Sequence, residues 1–160
     1  LSALELQPDD YLMKPFSHRV LRSRLMRAYK RRMWLKDVFK ALTKHDYETC
    51  ISACQKHIQS NSRYSNYCLK LAETRLLQNS PEEALNILNH IIKRMPNAIE
   101  AHDLKTECYL QQQQLEEALE SARDAITMAP FSIERQTKLA HIARDNGDFD
   151  IAKQAMNNVL

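Results

Sequence analysis

Small apolar residues recur along this chain at a fixed interval of 34 residues. Ala84, Ala118 and Ala152 are separated by that interval, and so are Pro96 and Pro130. A fixed period indicates a repeat protein, because each unit buries its apolar face against the next unit. The pattern predicts four units without insertions, which begin at Arg31, Ser65, Ile99 and Ile133.

Each unit is predicted to contain two helices, A and B. In the third unit, apolar residues at helical spacing favour helix A over residues 100–112 and helix B over residues 116–128. The recurring alanine lies where the two helices approach closely, and Cys50 occupies that position in the first unit. In three units a bulky residue precedes this position by three places: Tyr47, Leu115 and Phe149.

The turn between helices A and B carries residues suited to ending a helix. Gly147 occupies this turn in the fourth unit, and Asn79 and Gln113 occupy it in the second and third units. Gly and Asn tolerate the left-handed conformation that commonly terminates a helix. Pro96 and Pro130 are predicted to close helix B, because proline cannot continue a helix.

The N-terminal part of the chain does not follow the repeat. An amphipathic helix is predicted over residues 17–32, with Ser17 as its N-cap. Residues 1–36 hold nine Lys or Arg against three Asp or Glu, whereas the rest of the chain holds 14 against 17. This difference in charge predicts a boundary between a segment 1–32 and a repeat domain 33–160.

Composition supports an all-α chain. Among 160 residues there are one glycine and five prolines, too few for the tight turns of a β protein. No apolar run approaches the roughly 20 residues of a membrane span, so no membrane association is predicted. The four cysteines show no paired spacing, which predicts a reducing, cytoplasmic environment.

The repeat resembles the tetratricopeptide repeat, and the resemblance covers about 130 of the 160 residues. The matching residues are Trp34 in the first unit; Leu71, Ala72, Ala84 and Pro96 in the second; Tyr109, Ala118, Ala125 and Pro130 in the third; and Leu139, Ala140, Gly147 and Ala152 in the fourth. The resemblance implies a right-handed α-α superhelix that binds proteins rather than an enzyme.

The resemblance also implies a groove lined by helix A of each unit. Its expected lining is apolar in the first unit, acidic in the third and basic in the fourth. One subfamily captures a partner's C-terminus with a Lys and an Asn on the first helix A, but Phe39 stands at the Asn position here. The expected groove residues are Leu35, Lys36, Phe39, Leu42, Asn66, Leu69, Lys70, Glu73, Asp103, Glu107, Thr137, Lys138, His141 and Arg144.

The segment Asp-Asp-Tyr-Leu-Met-Lys-Pro-Phe at 9–16 is similar to the end of a response-regulator receiver domain, where the last strand leads to the final helix. The similarity implies that Lys14 pairs with the phosphoryl group, that Tyr11 reorients on activation, and that Pro15 follows a cis peptide bond. The carboxylates that bind Mg²⁺ in that family have no counterpart in this segment. We therefore expect no cofactor here, and Mg²⁺ only in an intact receiver.

The only grouping that suggests a metal site is formed by Cys50, Cys54 and His57, with His45 or Cys68 as a fourth ligand. The same positions hold packing residues in the other units, so a core role is the favoured interpretation. No nucleophile lies beside a base, and one glycine cannot form a phosphate-binding loop. We therefore predict no metal site and no catalytic site.

Together these features predict the protein-binding module of a two-component response regulator. Its partner would be a peptide segment of a histidine kinase or of another signalling protein, and helix 17–32 would couple the receiver to the repeats. The alternatives are a nucleic-acid-binding regulator that uses the basic helix 17–32 and a structural oligomerisation unit. Homodimers would form through an uncovered apolar edge: Ile142, Ile151, Ala155 and Val159.

Overall fold

The chain is built of helices joined by short turns. The computed structural model describes residues 14–59 and 64–159, and within these residues it contains nine helices and no strand. The helices are α1 (His18–Trp34), α2 (Lys36–Thr43), α3 (Tyr47–Gln59), α4 (Tyr64–Leu77), α5 (Pro81–Arg94), α6 (Ile99–Gln111), α7 (Leu115–Met128), α8 (Ile133–Asn146) and α9 (Phe149–Asn157). The strand expected at the end of the receiver segment falls outside the described residues.

Each helix packs mainly against the next one along the chain, and α4 also contacts α6. The helices therefore form successive A and B pairs: α2 with α3, α4 with α5, α6 with α7, and α8 with α9. This linear order is that of a helical repeat array, in which every unit contacts only its neighbours. The all-helical repeat fold predicted from the period is thus confirmed.

The turn from helix A to helix B has the same backbone conformation in all four units. The φ angles are 55° at His45, 61° at Asn79, 58° at Gln113 and 88° at Gly147. In each turn the next residue's N–H donates to the carbonyl five residues earlier, as Gln114 does to Tyr109 at 2.9 Å. This is the Schellman arrangement that satisfies the last carbonyls of a helix.

The core follows the small residues of the repeat. Cys50, Ala84 and Ala118 are fully buried, because each lies where helix B crosses the helices packed against it. Ala152 is only half-buried, since its helix, α9, is the last described helix and packs against α8 alone. Buried side chains form three clusters, one for each junction along the array.

Two buried polar side chains fasten one unit to the end of the preceding unit. His102 Nε2 donates to the carbonyl of Pro96 at 3.0 Å, and Gln136 Nε2 donates to the carbonyl of Pro130 at 2.9 Å. The two bonds are equivalent, because both residues of one bond lie 34 positions before those of the other. Each bond satisfies the backbone carbonyl of the proline that follows helix B.

Helix α1 extends from the start of the repeat array. Ser17 caps it by accepting a hydrogen bond from the Val20 N–H at 3.3 Å, as expected for this N-cap. The helix ends at a single turn residue, Leu35, which is 1% exposed in the first core cluster. Backbone bonds span the turn, with Leu35 donating to Arg31 at 3.1 Å and Phe39 donating to Leu35 at 2.8 Å.

The predicted apolar edge at the end of the array is largely covered. Ile142 and Ala155 are buried between α8 and α9, contrary to expectation, and Ile151 and Val159 are half-buried. They are covered because α9, although the last described helix, closes over α8. Two large apolar residues of α9, Phe149 and Met156, are exposed at this end.

Candidate protein-binding face

Side chains of successive A helices contact one another and form one surface along α2, α4, α6 and α8. We call this surface the A-helix face. It brings together six of the residues expected in the groove, arranged in three interacting groups: Phe39 with Lys70 and Glu73, Asp103 with Arg135, and Glu107 with Lys138. Of these residues, Arg135 alone was not predicted.

The first group joins α2 to α4. The Lys70 ammonium lies 5.1 Å from the centroid of the Phe39 ring and 2.5 Å from a Glu73 carboxylate oxygen. The backbone carbonyl of Lys70 also accepts a hydrogen bond from the Thr74 hydroxyl at 2.7 Å. The Lys70 and Glu73 side chains are mostly shielded from solvent, so the cation is balanced by a carboxylate and an aromatic face within the protein.

The second and third groups join α6 to α8. Arg135 donates to both oxygens of Asp103, with Nε–Oδ1 at 2.9 Å and Nη2–Oδ2 at 2.6 Å. Lys138 Nζ lies 2.6 Å from Glu107 Oε1. The acidic third unit and the basic fourth unit therefore neutralise each other across the junction. A partner meets paired charges there rather than two separate fields of opposite sign.

Three apolar residues expected in the groove belong to the core instead. Leu35 and Leu42 are buried in the first cluster and Leu69 in the second. Each is buried among the apolar side chains of its cluster, where burial of a leucine contributes about 2 kcal/mol to folding. They cannot offer side chains to a partner, and the structure corrects the prediction at these positions.

The remaining expected positions lie at or near the surface. Lys36, His141 and Arg144 are exposed, and Asn66 and Thr137 are half-buried. Arg144 donates to the adjacent Asp145 at 2.8 Å. Lys36 and His141 thus present ionisable groups for which no ion pair is seen within the described part of the chain.

An apolar strip lies at the C-terminal ends of α4 and α6. Leu77 is 44% exposed, and Leu76 and Leu110 are half-buried. The Gln111 amide donates to the Leu76 carbonyl at 3.2 Å, which holds these two helix ends side by side. Sequence reasoning missed this strip, although the paired leucines at 76 and 77 are a visible signal.

The cysteines lie in the core rather than in a metal site. Cys50 and Cys54 are fully buried, and Cys50 Sγ lies 3.0 Å from the Thr74 hydroxyl. The hydrogen bond with Cys50, and then burial, raise the pKa of the Cys54 thiol far above its usual range. His57 stacks on Tyr67 with ring centroids 4.4 Å apart. No three His, Cys, Asp or Glu side chains are placed to hold a metal ion within residues 14–59 and 64–159.

The residues expected from the receiver similarity are only partly described. The peptide bond between Lys14 and Pro15 is cis, in agreement with the expectation, and Lys14 is exposed. Tyr11 lies outside the described residues.

No helix of the described residues is long and apolar enough to cross a membrane.

Paired helices, buried small residues at a period of 34 and a shared A-helix face define a tetratricopeptide-type repeat protein. The sequence model of the family described as "Anaphase-promoting complex, cyclosome, subunit 3" matches residues 43–125, and the chain belongs to that family. No curated protein matches the sequence.

Solved structures with the same fold include several repeat proteins of low sequence identity. MamA (41-end) from Desulfovibrio magneticus RS-1 is 18% identical with a TM-score of 0.68, covering 88% of this chain and 82% of that one. The thermophilic repeat protein TTC0263 of Thermus thermophilus is 17% identical with a TM-score of 0.65, covering 81% and 73%. The first repeat domain of human RPAP3 is 15% identical with a TM-score of 0.66, covering 75% and 97%. At these identities the likeness concerns the fold.

Proposed function

We propose that the chain is a protein–protein interaction module that binds an extended or helical partner segment along the A-helix face. The supporting observation is the alignment of four A helices whose side chains contact one another and leave an apolar strip beside them. Such a surface suits apolar anchors for binding energy and polar contacts for register. The family description, which names a subunit of a larger assembly, also supports protein binding.

The paired charges of this face favour a partner selected by apolar contacts. Asp103 and Glu107 are neutralised by Arg135 and Lys138, and Lys70 is neutralised by Glu73. A ligand that relied on ion pairs would have to separate these groups and leave one charge of each pair unpaired. We therefore expect a partner segment with an apolar anchor near Leu77, and an affinity that depends weakly on salt concentration.

A peptide library selected against the chain tests this proposal. Leu77→Gln is expected to weaken the selected peptides about tenfold, the loss expected for one apolar contact. Met95→Gln is the matched control, because Met95 is 43% exposed and directly follows α5, the B helix of the second unit. Amide shifts caused by the peptide should fall on α4, α6 and α8. Shifts confined to α3, α5 and α7, or a larger effect of Met95→Gln, would exclude the A-helix face as the binding surface.

We further propose that the module is coupled to a receiver domain in a two-component regulator, whose partner is a histidine kinase or another signalling protein. The support is the similarity of residues 9–16 to a receiver terminus and the direct passage of α1 into α2 at Leu35. Phosphorylation of the receiver would then change how the A-helix face is presented. No linker separates the two parts, so the coupling would be mechanical.

A helix-breaking substitution tests the coupling in an intact receiver–repeat protein. Lys30→Pro interrupts α1 at an exposed position, and Lys30→Ala is the control that preserves the helix. Lys30→Pro is expected to abolish the change in peptide affinity on phosphorylation while leaving the affinity of the unphosphorylated protein unchanged. An undiminished phosphorylation effect in Lys30→Pro would rule out coupling through α1.

A further inference from the structure

Helix α1 carries a second surface, separate from the A-helix face. Alone among the described helices, it buries none of its residues. Leu25, Tyr29 and Met33 follow one another at intervals of four residues, and Met26 lies beside them. Their exposed fractions are 61% for Leu25 and Tyr29, 50% for Met33 and 48% for Met26. Residues three or four apart lie on one side of a helix, so these four form a continuous apolar row.

The apolar row is surrounded by positive charge. Residues 18–34 contain seven Lys or Arg and no Asp or Glu. Arg19, Arg22 and Lys30 are exposed and lie one or two turns from Met26 on its side of the helix. Arg31, at the end of the helix, is engaged with Glu100 at 3.4 Å. A complementary surface must therefore be both apolar in the middle and acidic at its border.

We propose that this row, Leu25, Met26, Tyr29 and Met33, is a docking site for an acidic amphipathic helix of a partner protein. The row is about 12 Å long at 1.5 Å per residue and only two side chains wide, the dimensions of a helix–helix seam. Carboxylates bordering the partner's apolar stripe would pair with Arg19, Arg22 and Lys30. The charge of α1 sets which partners dock, and the apolar row supplies the binding energy.

Other occupants fit the row less well. A second copy of this chain docked through the same helix would bring two clusters of seven cations together. Nucleic acid would pair with the cations but leave the four apolar side chains in water. An anionic membrane needs a broad apolar face, whereas Arg22 ends this row one turn before Leu25 and Met26.

The test measures fluorescence anisotropy of a labelled synthetic helix of about 20 residues, with leucines in one stripe and glutamates beside it, added to the chain. Leu25→Gln/Tyr29→Gln is expected to weaken binding at least tenfold, and Arg22→Glu/Lys30→Glu is expected to do the same. The matched control is Phe131→Gln/Ile133→Gln, which changes two apolar residues that are 90% and 63% exposed elsewhere on the chain. The control is expected to bind within twofold of the unaltered chain.

A second peptide, with serine in place of the leucines and the same glutamates, separates docking from general attraction of anions. It is expected to bind at least tenfold more weakly than the leucine peptide. Equal binding of the two peptides overturns the proposal, and so does an unchanged affinity in Leu25→Gln/Tyr29→Gln. Phosphatidylserine vesicles and duplex DNA are tested in the same way. If either binds at a protein concentration below that which saturates the leucine peptide, and if Leu25→Gln/Tyr29→Gln loses this binding, the row is assigned to that ligand. That result overturns the proposal as well.

Discussion

The left-handed turn residue of the third unit provides a sharp test of the repeat geometry. Gln113 has a φ of 58°, a conformation at which a side chain is strained and which Gly147 adopts in the fourth unit. Its N–H donates to the Leu110 carbonyl at 3.0 Å, and the Gln114 N–H donates to the Tyr109 carbonyl at 2.9 Å. Because the Gln113 side chain is exposed, replacing it with glycine removes strain without removing packing. We predict that Gln113→Gly stabilises the chain.

The expected gain is the difference between two opposing terms. The left-handed conformation costs a residue with a Cβ atom about 1–2 kcal/mol. Glycine has more conformational freedom in the unfolded chain, and this offsets roughly 0.5–1 kcal/mol of the strain that the substitution relieves. The net stabilisation is therefore about 0.5–1 kcal/mol. Gly147→Ala should cost a similar amount, and its cost is purely conformational because nothing lies within 4 Å of the added Cβ atom.

Urea unfolding followed by far-ultraviolet circular dichroism measures both changes. The control is Gln112→Gly, one residue earlier, where φ is −86° and a glycine relieves no strain. This control should lower the free energy of unfolding by about 0.5–1 kcal/mol. If Gln113→Gly and Gln112→Gly shift stability in the same direction, the turn at 113 does not carry the inferred strain. An unchanged stability in Gly147→Ala would lead to the same conclusion.

Three further predictions concern the core, the A-helix face and a buried thiol. Leu88→Ala changes a fully buried position in α5 and should lower the free energy of unfolding by about 2–5 kcal/mol. Leu85→Ala changes a half-buried position in the same helix and should lower it by clearly less. Equal losses would contradict the assigned core. Asp103→Asn should lower the free energy of unfolding by up to about 1 kcal/mol at low salt and by almost nothing at about 1 M salt, because the ion pair between Asp103 and Arg135 is partly exposed. A loss of stability that does not depend on salt would count against that pair. Burial raises the pKa of Cys108 from 9.0 to about 11, so the folded chain keeps a proton that the unfolded chain has lost. Stability should accordingly fall by about 2–3 kcal/mol as pH rises through that range, and urea titrations should show a smaller fall in Cys108→Ala.

The repeat itself could be predicted because its determinants are local. Close approach of two helices requires small side chains, and these recur as Cys50, Ala84 and Ala118, all fully buried. The helix-ending turn was predicted at Asn79, Gln113 and Gly147, where the backbone is left-handed. His45 shares that conformation, which histidine adopts more readily than most residues, but the residue was considered only as a metal ligand.

The composition of the A-helix face could be predicted only in part, because it depends on rotation of each helix about its axis. A rotation by one residue moves a side chain by about 100°, enough to bury Leu35 and Leu69 while leaving Lys36 and Lys70 near the surface. Charge pairs are equally hard to predict from one unit alone. Asp103 and Arg135 are 32 residues apart, and only the stacking of the fourth unit on the third makes them neighbours.

The single turn residue between α1 and α2 gives the first helix the properties of a lever. Leu35 is held in the core, whereas the 17 residues of α1 extend away from it for about 25 Å. A tilt of about ten degrees at this pivot would displace the far end of the helix, near His18, by roughly 4 Å. A small rearrangement of backbone at one buried leucine is thereby amplified into a movement the size of a side chain. Force applied at the far end would, conversely, be concentrated on Leu35 and on the bond between Arg31 and Glu100.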